Sequence, residues 1–169
     1  MTNSYPGIYQ PFILKATSGG DFTWGKMINQ DQHSFIYSVH DSSDGGAIVA
    51  GYFRADSMNF GLHTIFNSNV SQAEVFIAKI DGNGDWQWAN SAEGNNGDAG
   101  YDLAINSEGI VSIVGVYNGQ IQFGPYTLAS TSESQNFVSF ISSENGTWLG
   151  ATNLEANLVR ITGISSFQN

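Results

Sequence analysis

The feature that most constrains this chain is its repetition. Phe12-Ile13-Leu14-Lys15 followed by Gly20-Asp21-Phe22-Thr23-Trp24 returns sixty-four positions later as Phe76-Ile77-Ala78-Lys79 followed by Gly84-Asp85-Trp86-Gln87-Trp88. A looser third copy is Phe137-Val138-Ser139-Phe140 with Asn145-Gly146-Thr147-Trp148. Between these anchors, Ala47 to Phe53 with Asn59-Phe60-Gly61 is repeated as Val111 to Tyr117 with Gln122-Phe123-Gly124. Self-similarity at a fixed period of this size marks a repeat fold, in which each unit buries its apolar face against the next.

The unit is made of strands. No window carries apolar residues at sustained three- and four-residue spacing, which argues against helices. The 169 residues include twenty glycines, against roughly a dozen expected at the usual share of about 7%, and abundant Ser, Asn and Asp add further turn formers. Cut at those turns, one unit reads Phe35 to His40, a turn Asp41 to Gly46, Ala47 to Phe53, a long connection, Val75 to Ile80, a turn Asp81 to Asp85, and Trp86 to Asn90. The next reads Tyr101 to Ile105, the turn Asn106 to Gly109, Ile110 to Tyr117, a connection holding Phe123 to Leu128, Phe137 to Ile141, and Trp148 to Ala151. The second strand of each unit is apolar at nearly every position, so both its faces need cover. Four-stranded sheets at a fixed period, each covering its neighbour, describe the blades of a β-propeller. The expected fold class is all-β, with repeated four-stranded antiparallel blades forming a partial propeller. Residues 1–11 read as an arm, 12–30 as a part blade, 34–91 and 100–153 as blades, and about 158–164 as a single further strand.

The run Phe76 to Ala89, then Gly97 to Ile105, Val114 to Tyr117 and Phe123-Gly124, resembles the bacterial β-propeller repeat called SBBP. The resemblance spans about residues 12–153. It implies a non-catalytic scaffold or adhesion role in a large secreted or surface-anchored protein, bacterial and extracellular. A virion is the alternative setting for a structural subunit of this kind. It carries over no catalytic residue. A propeller closes with typically four to eight blades, so so few repeats leave apolar faces to be covered. The cover is expected from a longer polypeptide, from self-association, or from another subunit that completes the ring.

Charge and composition narrow the partners. Five cationic against fifteen acidic residues give a net charge of −10, which repels nucleic acid and anionic membrane surfaces. No apolar run approaches a membrane span, residues 1–10 lack the pattern of a signal peptide, and no cysteine is present for disulfide, thiolate or nucleophile chemistry.

Several residues are candidate ligand contacts. Glu93, Asn95, Asn96 and Asp98 form a polar loop between the two whole blades, where amides and carboxylates can bond sugar hydroxyls or a protein, with Trp86 or Tyr101 as a flat face. Asp81, Asn83 and Asp85 have the alternating oxygen spacing of a calcium loop, although Trp86 stands where glycine belongs and the distant acidic ligand is missing, so a hairpin turn competes with that reading. Trp24 and Trp88 match between repeats and read as packing between blades, with Trp86 sharing the face of Trp88, and Trp148 aligned with Trp86. His33, His40 and His63 lie in separate elements without metal spacing, and no serine sits in a nucleophile elbow. Asn69 and Asn145 head glycosylation sequons. The function expected is a non-catalytic surface scaffold that presents loops to a glycan or protein. The alternatives are a purely structural subunit, a calcium-assisted lectin and a polysaccharide-processing enzyme.

Overall fold

The computed structural model describes residues 5–28, 30–130, 134–154 and 163–165. It is all-β, and among the described residues there is no helix. A two-stranded half blade comes first, β1 (Phe12–Ala16) with β2 (Phe22–Met27). Blade A follows as β3 (Phe35–Asp41), β4 (Ala47–Phe53), β7 (Glu74–Ile80) and β8 (Trp86–Gly94). Blade B is β9 (Ala99–Ile105), β10 (Ile110–Tyr117), β13 (Gln135–Ser142) and β14 (Trp148–Leu154). Each blade is an antiparallel meander with the apolar strand, β4 or β10, paired on both edges. The fold is therefore a stack of propeller-type blades that does not close on itself.

The connections that the sequence leaves unassigned contain hairpins: β5 (Ser57–Phe60) with β6 (His63–Phe66), and β11 (Gln120–Phe123) with β12 (Tyr126–Ala129). Four-residue strands bounded by Gly61 or Gly124 fall below the length at which periodicity announces a strand. Their role is to lock the stack. β11 pairs with β8 through Ile121 and Gln122 opposite Gly94 and Glu93, so the hairpin of blade B extends the sheet of blade A to six strands.

Two cores result. Val49, Phe53, Phe76, Ala78 and Ile80 face the half blade, where Ile13 and Ile28 meet them. Ile48, Ala50, Val75 and Ile77 face blade B and pack on Val111, Ile113, Phe137 and Ile141. Alternation along β4 and β7 thus feeds both interfaces, which is why these strands are apolar throughout.

The tryptophans keep the repeat and correct one expectation. Trp24 and Trp88 do the same work one blade apart: the indole N–H of Trp24 donates to the Gly82 carbonyl at 3.0 Å, and that of Trp88 to the Ser143 carbonyl at 3.3 Å. Each ring thereby seats the hairpin turn of the next blade. Trp86 does not share the face of Trp88. A register shift pairs Lys79 with Trp88 and Ile80 with Trp86, and this bulge at Gln87 turns Trp86 to the opposite core. There Trp86 meets Phe60 edge to face at 4.8 Å, as Trp148 meets Phe123 at 5.1 Å.

The expected strand at 158–164 lies outside the described residues up to 162. Gly163 to Ser165 are described and form no strand. The Ile164 N–H donates to the Asp102 carboxylate on β9 at 2.9 Å.

Candidate functional site

The polar loop between blades is a joint with one buried member. Glu93, one residue before the end of β8, is exposed, Asn95 and Asn96 are exposed, and Asp98 is buried with 1% exposure. The loop is tied on every side. The Asn95 N–H donates to the Gln120 carbonyl, the Asn69 amide to the Asn95 carbonyl at 2.9 Å, and the Asn118 amide to the Asn96 and Gly97 carbonyls at 3.2 and 2.9 Å.

Beneath it sit two carboxyl groups. Asp98 Oδ1 accepts the Asn118 N–H at 3.0 Å, while Oδ2 has no partner. Glu74, at the start of β7 and fully buried, accepts the Ser68 N–H at 2.7 Å and the Ser68 hydroxyl through Oε1, while Oε2 is unpaired. Both groups converge on Gly94: the Gly94 backbone supports the Glu74 carboxylate, and a Cβ on Gly94 would lie 1.5 Å from Asp98 Oδ2. Only glycine leaves room for that carboxyl. Burial, then the nearby Glu74 charge, push Asp98 up to about 7 against the pull of the Asn118 N–H. Burial likewise raises Glu74, opposed by its bonds to Ser68. At neutral pH this is a partly protonated pair that joins two blades.

Tyr101 belongs to a different feature, a row of aromatic rings. Tyr37 and Tyr101 are repeat equivalents, and each sits on a bulge of its inner strand: register shifts fall between Ile36 and Ser38 on β3 and between Val114 and Gly115 opposite β9. The bulges aim both rings at one another, 5.5 Å apart. The row continues from Tyr37 to Phe35 (6.2 Å) and from Phe35 to Tyr9 of the arm (5.8 Å), which also packs on His33 (5.1 Å). The Tyr9 N–H donates to His33 Nδ1 at 2.9 Å. Tyr52 lies against Phe35 and Tyr37, and burial, with Tyr37 alongside, raises its phenol. Tyr9 and Tyr37 are exposed, and the others are half-buried.

The remaining candidates are dispersed. Trp86 is at the opposite end of β8 from Glu93 and Asp98, roughly 25 Å along the strand, and its ring is committed to Phe60. Glu93 lines a polar groove of about 340 Å³ with Thr64, Asn90, Ser91 and Gln122, apart from the Asp98 pair. Asp81 is the acceptor of its own turn: Oδ1 takes the Asn83 and Asp85 N–H groups, both at 2.9 Å, and Oδ2 takes the Gln87 amide at 3.0 Å; the backbone N–H groups of Asp85, then Asn83 and Gly84, hold its pKa down. Asp85 faces Lys26 at 3.9 Å. Among the described residues no group of three or more His, Asp or Glu side chains is placed to hold a metal ion.

Sequence reasoning missed Glu74 at the start of β7 and Asn118, which act on Asp98, and Ser68, which bonds Glu74; no motif marks any of them. It also missed the aromatic row, whose signal was available in the sixty-four-residue spacing of Tyr37 and Tyr101.

No protein-family model matches the chain. Over 116 residues it is 28% identical to the uncharacterized WD repeat-containing protein L264 of Acanthamoeba polyphaga mimivirus; the matched stretch is 66% of this chain and 8% of that protein. The chain thus corresponds to a small part of a much longer relative.

Proposed function

We propose that this chain is a non-catalytic scaffold of the β-propeller type that holds a protein partner, working at a cell or particle surface. The observation that carries the reading is the aromatic row. Exposed tyrosines, Tyr37 on a strand and Tyr9 on the arm packed against Phe35, give large contact area with a polar tip, the chemistry enriched at protein interfaces. Similarity to a protein named for WD repeats supports a repeat scaffold, and the SBBP-like pattern supports a surface setting. Crosslinking in the native source should recover a defined protein that the Tyr9→Ala/Tyr37→Ala variant loses; a partner kept in full by that variant overturns the reading. The second reading is a glycan, favoured by the Glu93 groove with its amide and hydroxyl lining. An array on which Glu93→Ala and Gln122→Ala abolish binding to one sugar would establish it in place of the first.

A further inference from the structure

The repeat makes the half blade and the inner edge of blade A beside it readable against their equivalents, and four positions, three on the half blade and one on β3, differ in one direction. Phe12 is 55% exposed, whereas Phe76 and Phe137 are 0%. Leu14 is 51% exposed, while Ala78 and Ser139 are buried. Phe22 is 65% exposed, while its counterparts Trp86 and Trp148 are half-buried against Phe60 and buried under Phe123. Val39 on β3 is 59% exposed, while its counterpart Leu103 on β9 is 3%.

The gap has a definite shape. Among the described residues β1 pairs only with β2, whereas its counterpart β7 pairs with β8 on one edge and β4 on the other. Two hollows run beside the free edge of β1, of about 430 and 260 Å³, and both are lined by Phe12 and Ile36. The larger is apolar, floored by Ala47, Val49 and Val39. The smaller contains Ser34, 1% exposed, whose hydroxyl has no hydrogen-bond partner, and Gln10, whose side-chain oxygen is also unpaired. A buried hydroxyl left unpaired costs about 1–3 kcal/mol, which an incoming polar backbone can relieve. An unpaired strand edge beside an apolar trough is a template for strand addition.

We propose that the groove along β1 is a docking site for an inner β-hairpin of this same repeat, contributed by polypeptide outside residues 1–169. This deepens the scaffold reading and rests on it. The described strands of a second copy are the wrong donor, because β4 and β10 are each already paired on both edges and leave no spare inner pair among the described residues. The register is dictated by blade A, in which Gly51 faces Phe76 and Val49 faces Ala78, and by blade B, in which Gly115 faces Phe137. The guest therefore places glycine opposite Phe12 and an apolar residue opposite Leu14. That glycine is required because a Cβ on Gly51 would sit 1.9 Å from the Phe35 carbonyl oxygen, and one on Gly115 would sit 2.1 Å from the Ala99 carbonyl oxygen and 2.7 Å from the Phe137 ring.

The test uses the full chain and a synthetic peptide with the sequence of residues 34–54. Bound peptide should slow amide exchange at Phe12 to Ala16 at least tenfold. Val39→Asp in the chain and Gly51→Val in the peptide should each abolish that protection, and Tyr37→Ala in the chain, which lies outside both hollows, should leave it intact, which separates this site from the partner-binding row. Val39 is solvent-exposed, so its substitution leaves the blade folded. Absence of protection, protection that survives Val39→Asp or Gly51→Val, or protection arising from dimers of the chain alone would overturn the proposal.

Discussion

The interface between blades A and B and the open side of the half blade are built from one repeat and end in opposite states. In the first, Phe137 packs 4.9 Å from Phe123, Gly115 lets the strands close, and the hairpin β11–β12 ties blade B to β8. In the second, Phe12, Leu14 and Phe22 face solvent, because no inner strand pair or hairpin among the described residues is stacked on them. The same side-chain pattern therefore buries or exposes according to what is stacked on it. A blade of this kind is an adhesive surface on both sides, and only its neighbours make it a core.

Truncating equivalent residues should expose this asymmetry most strongly. Phe137→Ala removes a fully buried ring between blades and is expected to cost about 3–5 kcal/mol, whereas Phe12→Ala should cost under about 0.5 kcal/mol. Urea unfolding of the two variants checks the difference. Equal losses would mean that the half blade is as sealed as the interior, and the comparison would fail.

The polar joint sharpens the contrast next, because the open side has no counterpart of the Asp98–Glu74 pair. Asp98 is near 3.8 when unfolded and about 7 in the fold, so from about pH 4 to 7 the native state holds a proton that the unfolded chain has released. Stability from this group is complete below pH 4 and falls as pH rises through 7, and the raised Glu74 acts in the same direction. Asp98→Asn cannot ionise and should be more stable than the parent at pH 8, by about 2–4 kcal/mol, with the gap closing near pH 4. Melting temperatures across that range provide the measurement; a parent that grows more stable from pH 5 to 8 relative to the variant would contradict the assignment.

Legibility followed the same division. The blades were readable because strand identity rests on local alternation and the repeat supplies its own alignment, so β4 and β10 end where the sequence predicts, at Ala47–Phe53 and Ile110–Tyr117. The hairpins β5–β6 and β11–β12 were not, since four residues give two alternations at most. Glu93, Asn95, Asn96 and Asp98 looked alike as a solvated loop, yet the chain folds Asp98 under Asn118 and leaves the other three outside. That separation depends on Ala73, whose carbonyl takes the Asp98 N–H at 2.8 Å from a distant stretch of chain, and on Gly94, whose role inside the loop is visible only once the Asp98 carboxyl is placed against it. The bulges behind the Trp86 correction are equally silent, because a bulge is a property of two paired strands.

The smallest expected effect compares two lysines at one repeat position. Lys15 donates to the Gly45 and Gly82 carbonyls at 2.8 and 3.2 Å, fastening the half blade to two turns of blade A. Lys79 instead meets the Asp44 carboxylate at 2.9 Å. Burial pulls Asp44 up, but the Ser42 hydroxyl, Lys79 and the Gly46 N–H outweigh it and hold the group at about 2. An acid lowered in the fold contributes stability above its unfolded value and loses it as pH falls toward 2. Lys79→Met should therefore cost about 1 kcal/mol or less at pH 7, since Asp44 is partly exposed, and less again at pH 2.5 or in 1 M salt. Lys15→Met should cost a similar amount that changes little between pH 7 and pH 2.5, because its acceptors do not titrate. Identical pH profiles for the two variants would show that the half blade is held by charge in the way the interior is, and that the two sides of blade A differ less than their partners imply.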